Sequence, residues 1–230
     1  MKAALKLCPG RLLRSLSPMV PGNCWLPLLI GATIRRGKML SDKPVNHFSL
    51  SAYQVELLPM TQAHQGLLRS WRNQDEIRRQ MLSEELISEE QQQAWFKKTQ
   101  LDPKQLHWVI KFRDQLIGAT NVKSLENGNT VAEASLLEPG LYIGERRYQG
   151  NIVAFAPTLA MYDFCFDQLG TQRFRAVVKR SNQNALSYNQ KLGYAIVENE
   201  ELMVLELDVE NYRQATAPIK QFLSRTRNAK

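Results

Sequence analysis

The chain has 230 residues, 43% of them hydrophobic, enough to bury one core without calling for a second domain. Its formal net charge of +8 invites a nucleic-acid or membrane partner, yet residues 1–41 hold seven Lys or Arg and no acid, leaving 23 basic against 22 acidic residues from Asp42 onward. A nearly neutral body argues against electrostatic binding of nucleic acid and leaves only the leader for that role.

Residues 1–46 carry Pro9, Pro18, Pro21, Pro27 and Pro44 with no sustained period, and read as a disordered basic leader. Such a segment fits an organelle transit peptide, an upstream translation artefact with Met39 as the natural start, or, most plainly, a stretch with no part in the chemistry. The apolar patch Trp25–Ile30 is far short of the roughly 20 residues that span a bilayer, and it does not follow the pattern of a secretory signal. Cys8, Cys24 and Cys165 form no metal-ligand spacing, and an odd, sparse count fits a reducing, cytoplasmic setting. The expectation is therefore no membrane span and no metal.

A folded domain is expected over 47–215, followed by a polar tail, 216–230, helical only in part. It opens with AYQVELLPM, where Tyr53, Val55 and Leu57 alternate as on one strand face. Thr61 is a favourable N-cap for a helix running to Trp71-Arg72-Asn73, and a second short helix is predicted over Asp75–Leu82. Ser88 with Gln91 forms a capping box for a helix that carries Trp95 and Phe96 and stops before Pro103. LHWVIKF and QLIGATNVK read as strands joined by the short turn Arg113-Asp114. After Glu126–Asn129 the run from Val131 to Gly144 resumes the sheet, with a bulge or bend predicted at Pro139-Gly140.

The central unit spans Gly140 to Leu169: a strand over Leu141–Ile143, a polar turn with Gly150, and a helix with Leu159, Tyr162, Phe166 and Leu169 at helical spacing. The N-terminus of such a helix suits a phosphate or pyrophosphate, because its first N–H groups are unbonded and its dipole is positive there. Gly170 is the expected left-handed C-cap. RFRAVVK makes a strand, Ser181 or Asn182 caps a helix closing at Gly193, and Tyr194–Val197 and Met203–Leu207 complete the sheet.

In that order the chain resembles the GNAT superfamily of acetyl-CoA-dependent N-acetyltransferases over roughly Ser51 to Val209. The family's Q/R-x-x-G-x-G/A loop is matched by Gln149-Gly150-Asn151-Ile152-Val153-Ala154, and its N-x-x-A/S…K-L-G-F/Y helix by Asn182, Ala185, Lys191, Leu192, Gly193 and Tyr194. Trp71-Arg72-Asn73 and the segment Ile87 to Phe96 look like the branch that acetylates nucleotide-linked amino sugars, related to the one acting on N-termini of ribosomal proteins. Two positions depart from the pattern. Ile152 stands where the loop has its middle Gly, and a β-branched residue offers neither the same close backbone approach nor the same φ. Asn189 stands where many relatives place a tyrosine that protonates the departing thiolate, with Tyr188 one residue away, about 100° around the helix.

The resemblance implies an α/β fold with a mixed, mostly antiparallel sheet flanked by helices. It implies acetyl-CoA as cosubstrate, held by Leu141, Tyr142, Ile143, Arg147, the loop Gln149–Ala154 (Ile152 and Val153 included) and Asn182. Trp71, Arg72 and Asn73 are the implied acceptor contacts; Glu138, near the bend of the central strand, is the first candidate base, and Tyr188, beside the family's tyrosine position, the candidate acid. Glu133 and Glu145 are further candidate bases, Arg146, Lys179 and Arg180 further phosphate contacts, and His64 and His107 read as packing or surface residues. An amine with a pKa near 8 needs little help to lose its proton at neutral pH, so a strong base is optional. The favoured acceptor is a small amine, a nucleotide-linked amino sugar first, with a protein N-terminus as the alternative. A non-catalytic coenzyme- or partner-binding relative is the alternative of another class, and a monomer or homodimer is expected. A Rossmann enzyme lacks its G-x-G-x-x-G here.

Overall fold

The computed structural model describes residues 48–225; the leader 1–46, with Cys8 and Cys24, lies outside them. Leu50–Ala52 (β1) and Val55–Pro59 (β2) form a hairpin, with Tyr53 and Gln54 at φ 52° and 67° in its two-residue turn. AYQVELLPM is therefore a turn and a strand rather than one strand: two consecutive positive φ values reverse the chain and take Tyr53 off the strand face. Gln65–Arg72 (α1) follows a single tight turn at Gln62–His64, and Asp75–Arg78 (α2) is one turn long, shorter than the helix predicted to Leu82. Glu89–Gln100 (α3) starts at Ser88, whose Oγ accepts from Gln91 N–H while Gln91 Oε1 accepts from Ser88 N–H, the predicted capping box.

Gln105–Phe112 (β3) and Gln115–Ser124 (β4) are joined through Arg113 and Asp114 at φ 47° and 62°. Leu136–Ile143 (β5) pairs antiparallel with β4 in unbroken register from Gly118↔Ile143 to Ser124↔Leu137. The sheet run thus starts at Leu136 rather than Val131, and Pro139-Gly140 carries no bulge. Pro139 sits in the strand with Val122 opposite, and a Cβ on Gly140 would lie 2.4 Å from Asn121 Oδ1, so glycine is needed there for close approach.

The remaining elements are Phe155–Phe164 (α4), Arg173–Lys179 (β6), Gln183–Lys191 (α5), Ala195–Asn199 (β7), Leu202–Asp208 (β8) and Val209–Leu223 (α6). Within the described residues the tail after Glu210 is one continuous helix as far as Leu223, with Tyr212, Thr216 and Leu223 buried; Asp208 caps it by accepting from Asn211 N–H. The strands form one sheet, ordered β1-β2-β3-β4-β5-β6-β8-β7, antiparallel throughout except for β5 against β6.

Alternation sorts each strand onto two cores. Leu106, Trp108, Ile110 and Phe112 face the main core with α4, while Val109 joins Met60, Leu68, Trp71, Ile77 and Phe96 beneath α1 and α3. Helix α4 is buried from Ala156 to Tyr162, as a helix apolar on all sides must be. Tyr162 stacks on Phe174 with ring centroids 4.0 Å apart, and its hydroxyl lies 2.6 Å from that of Tyr194. Removing so large a buried ring typically costs about 3–5 kcal/mol. Among the described residues no helix is long and apolar enough to cross a membrane.

Candidate active site

The parallel contact of β5 with β6 lasts for two residue pairs, Leu136↔Arg173 and Leu137↔Phe174, and the strands then part. The gap opens a cleft of about 720 Å³ between Glu138–Ile143 on one side and Ala176–Lys179 on the other, with α5 contributing Asn182, Ala185, Tyr188 and Asn189. Parted strands leave backbone hydrogen-bonding groups free for a ligand. At the end of the cleft the chain turns through Gln149, Gly150 (φ 68°) and Asn151 into a tight turn, Ile152–Ala154, that leads into α4. Gln149 Nε2 donates to Ile143 C=O, tying the loop to the end of β5, and Asn151 Oδ1 accepts from Val153 N–H. Pro157 lies in the first turn of α4, where it is tolerated.

A second cavity, about 580 Å³, lies on the α1–α3 face of the sheet. Register builds its floor: His107↔Asn121↔Gly140 and Gln105↔Lys123↔Glu138 are rows across β3, β4 and β5, and Asn121, Lys123, Gly140 and Glu138 line the cavity with His107. Arg72, Gln91, Trp95 and the segment 81–87 make the walls. The two spaces share Met81, Leu82, Glu138, Gly140, Leu141 and Tyr142, so they meet along β5. The 79–87 segment is fastened from three directions. Lys179 Nζ donates to Glu84 Oε1 and Arg79 C=O, Arg78 donates to Glu84 C=O, and the Asn73 amide exchanges two hydrogen bonds with Ile87 backbone.

The predicted residues fall into distinct places. Leu141, Tyr142, Ile143, Gln149, Gly150, Asn151, Ala154 and Asn182 line the cleft, Asn182 also capping α5 by accepting from Ala185 N–H. Ile152 and Val153 line a separate cavity with Tyr53, Phe112 and Phe222, because the tight turn points their side chains away from the cleft. Arg147 lies over the Tyr148 ring, 4.7 Å from its centroid, and Arg146 pairs with Glu76 at 2.6 Å; neither lines the cleft. Lys179 is engaged by Glu84, and Arg180 donates to the carbonyls of Asn199 and Glu200.

Of Trp71-Arg72-Asn73, only Arg72 reaches a cavity. Trp71 is buried against Gly144, where a Cβ would come within 2.1 Å of its ring, and Asn73 holds Ile87. Arg72 Nη1 is buried without a partner, and burial lowers the pKa of this guanidinium, the nearby Tyr142 acting the other way. Glu138 lies where the two spaces meet. Glu133 accepts from Thr130 N–H and Oγ, which lowers its pKa, and lines neither space, as is true of Glu145 and His64. Tyr188 stacks on Phe155 with centroids 4.5 Å apart; its hydroxyl lies 2.7 Å from Thr158 Oγ1 and 3.2 Å from Ala154 C=O, and burial raises its pKa. Asn189 donates to Ala185 C=O within α5.

Sequence reasoning passed over Asn121 and Lys123 and set His107 aside as packing. Their signal was period-2 alternation shared by three strands, which becomes readable only once the register is known. No group of three or more His, Cys, Asp or Glu among the described residues is arranged to hold a metal.

The acetyltransferase (GNAT) domain family matches residues 54–195. An N-acetyltransferase 9-like protein of Nematostella vectensis is 22% identical over 188 residues, covering 75% of this chain and 92% of that protein. The crystal structure of a GCN5-related N-acetyltransferase from Brucella melitensis superposes with a TM-score of 0.62 at 13% identity, covering 77% of this chain and 86% of that one. An uncharacterized protein from Bacillus halodurans reaches 0.66 at 15% identity, covering 79% and 100%. The chain belongs to the GNAT acetyltransferases, a family of N-acetyltransferases that generally use acetyl-CoA.

Proposed function

We propose that this GNAT acetyltransferase moves the acetyl group of acetyl-CoA to the primary amine of a small acceptor, a nucleotide-linked amino sugar, in the cytoplasm and as a monomer or homodimer. The observation that carries the reading is the meeting of the β5–β6 cleft with a second, differently equipped cavity along Glu138–Tyr142. Coenzyme would lie in the cleft, its pyrophosphate on the Gln149–Ala154 turn and its pantetheine along Leu141–Ile143, with Asn182 at the cleft wall. The acceptor would fill the cavity under α1 and α3. Its lining sets Arg72 and Lys123 against Glu85 and Glu138 and adds the half-exposed Trp95, a mixture that suits a ring-bearing molecule carrying both an anionic group and an amine. The roof over that cavity favours a small molecule over a protein N-terminus.

The amine nitrogen attacks the thioester carbonyl carbon; the C–N bond forms, the C–S bond breaks and the amide leaves. Backbone groups freed by the parting of β5 from β6 stabilise the oxyanion. The amine's proton passes to Glu138 or to water, and Tyr188 supplies one to the departing thiolate. Trp71 and Asn73 act by holding Arg72 and the 79–87 segment in place.

The test is titration of acetyl-CoA into the full chain, followed by thiol release measured over a panel of amines: nucleotide-linked amino sugars, free amino sugars, polyamines and peptides with free N-termini. Coenzyme binding and preferential turnover of the nucleotide-linked sugar are expected. Faster turnover of the peptides would move the acceptor to the protein class, and binding without any turnover would make the chain a non-catalytic relative.

A further inference from the structure

His107 lines the helix-roofed cavity, is 9% exposed, and meets Trp95 edge-on with ring centroids 5.2 Å apart. Its Nε2 lies 2.9 Å from Gln105 Oε1, and Gln105 Nε2 donates to Asp102 Oδ2 at 2.5 Å. Asp102 also accepts from Lys104 N–H. Partial burial opposes ionisation of Asp102, but these hydrogen bonds prevail and hold its carboxyl below the ordinary range. An ionised carboxylate only accepts, so Gln105 turns its NH₂ to Asp102 and its carbonyl oxygen to His107. That orientation requires the ring proton on Nε2 and leaves Nδ1 with a bare lone pair. Burial first, and the charge of Lys123 second, push the ring's pKa down to about 3, so the imidazole is neutral at physiological pH.

Nothing among the described residues bonds Nδ1. Among the described residues the buried polar side-chain atoms without partners are Arg72 Nη1, Gln74 Oε1, Arg78 Nε and Thr171 Oγ1, and Nδ1 is not one of them. His107 lines the cavity, and an Nδ1 lone pair left open there by a three-residue chain of hydrogen bonds calls for a donor from a ligand. The donor is not the reacting amine. His107 sits two strands from β5, on the order of 10 Å at the ordinary strand spacing.

We propose that His107 is a specificity-determining residue for the acceptor: its Nδ1, kept unprotonated by the chain Asp102–Gln105–His107, accepts a hydrogen bond from a sugar hydroxyl remote from the amine. Asp102 and Gln105 are positioning residues that set the tautomer without touching the acceptor. This rests on the acceptor cavity of the proposed function.

The experiment has two independent arms. In the first, the full chain is labelled with ¹⁵N-histidine and the His107 imidazole resonances are assigned through the His107→Asn variant. Nδ1 is expected at the unprotonated, pyridine-like position and Nε2 at the protonated one, with Gln105→Met averaging the two. In the second, acceptor KM is measured with the amine panel. His107→Leu is expected to raise it about tenfold, His107→Asn, whose Oδ1 restores an acceptor at the δ position, to recover most of the loss, and Gln105→Met to raise it about threefold. The KM for acetyl-CoA stays unchanged in all three. A protonated Nδ1 in the unmodified chain, or an acceptor KM indifferent to His107→Leu, overturns the inference while the proposed function stands. Absence of turnover of the whole panel by the unmodified chain sinks the proposed function and the acceptor half of the inference with it, leaving the tautomer to the first arm.

Discussion

The cleft and the helix-roofed cavity share six residues along β5 and the 79–87 segment, yet they are built from different material. One side of the cleft comes from two neighbouring stretches, Glu138–Ile143 and Gln149–Asn151 with Ala154, and in the proposed function its contacts are backbone groups left free where β5 parts from β6. The cavity takes Arg72 from α1, Trp95 from α3, His107 from β3 and Lys123 from β4, and its chemistry lies in side chains. A backbone site tolerates exchange of side chains that point elsewhere; a side-chain site is sensitive to each one. This contrast is what a fold needs to keep one cosubstrate while changing the other.

The sharpest way to break the contrast is to put charge where the backbone is expected to hold an anion. Asn151→Asp keeps the Val153 cap and adds one negative charge, and calorimetry is expected to show acetyl-CoA affinity reduced about 100-fold, or about 2.7 kcal/mol, with little change in Tm. An unchanged Kd would remove the pyrophosphate from this loop.

Acidification is expected to expose the cavity side next. His107 has its folded pKa depressed to about 3 against 6.5 ordinarily, so below pH 6.5 the unfolded chain binds a proton that the folded one refuses. Its stabilising contribution is complete above pH 6.5 and falls as the pH drops toward 3, at up to about 1.4 kcal/mol per pH unit. Urea unfolding at pH 7 and pH 4.5 should show a loss about 2.5 kcal/mol smaller in His107→Asn than in the unmodified chain. Equal losses would mean that His107 protonates in the folded state.

Arg72→Met keeps the aliphatic stem and removes the guanidinium whose buried Nη1 lacks a partner among the described residues. It is expected to raise acceptor KM about 30-fold, in keeping with a charged hydrogen bond of about 2 kcal/mol, and to leave the Kd for acetyl-CoA within twofold. A parallel loss on the coenzyme side would show that the two halves are not separate. Tyr188→Phe keeps the stack on Phe155 and removes only the hydroxyl; kcat about tenfold lower at unchanged KM values is expected if that hydroxyl protonates the thiolate. The smallest effect tests the backbone claim from the other side. Ile152→Ala removes a side chain that faces away from the cleft, and acetyl-CoA affinity should stay within twofold.

The departure at Ile152 illustrates how far the sequence could be read. As one letter in a motif it looks like an obstacle to the coenzyme, since a Gly is replaced by a β-branched residue. In three dimensions its backbone sits in a tight turn and its side chain lies in another cavity with Tyr53 and Phe222. The triplet Trp71-Arg72-Asn73 shows the same limit: one segment supplies a core residue, a cavity residue and a loop fastener, and the distinction comes from Gly144 and Ile87, far away in the chain.

By itself the sequence determined the element order from α1 to β8, the capping box at Ser88, the left-handed stop at Gly170, the strand-turn-helix unit and the family, because each is written in residues close together along the chain. Local backbone preferences and short-range hydrogen bonds are enough to fix such features. Only the tertiary structure decided where β5 leaves β6, that Arg72, His107 and Lys123 line one cavity, and that Nε2 of His107 meets Gln105. Those depend on strand register, and a shift of one residue would have turned His107, Asn121 and Gly140 to the opposite face of the sheet.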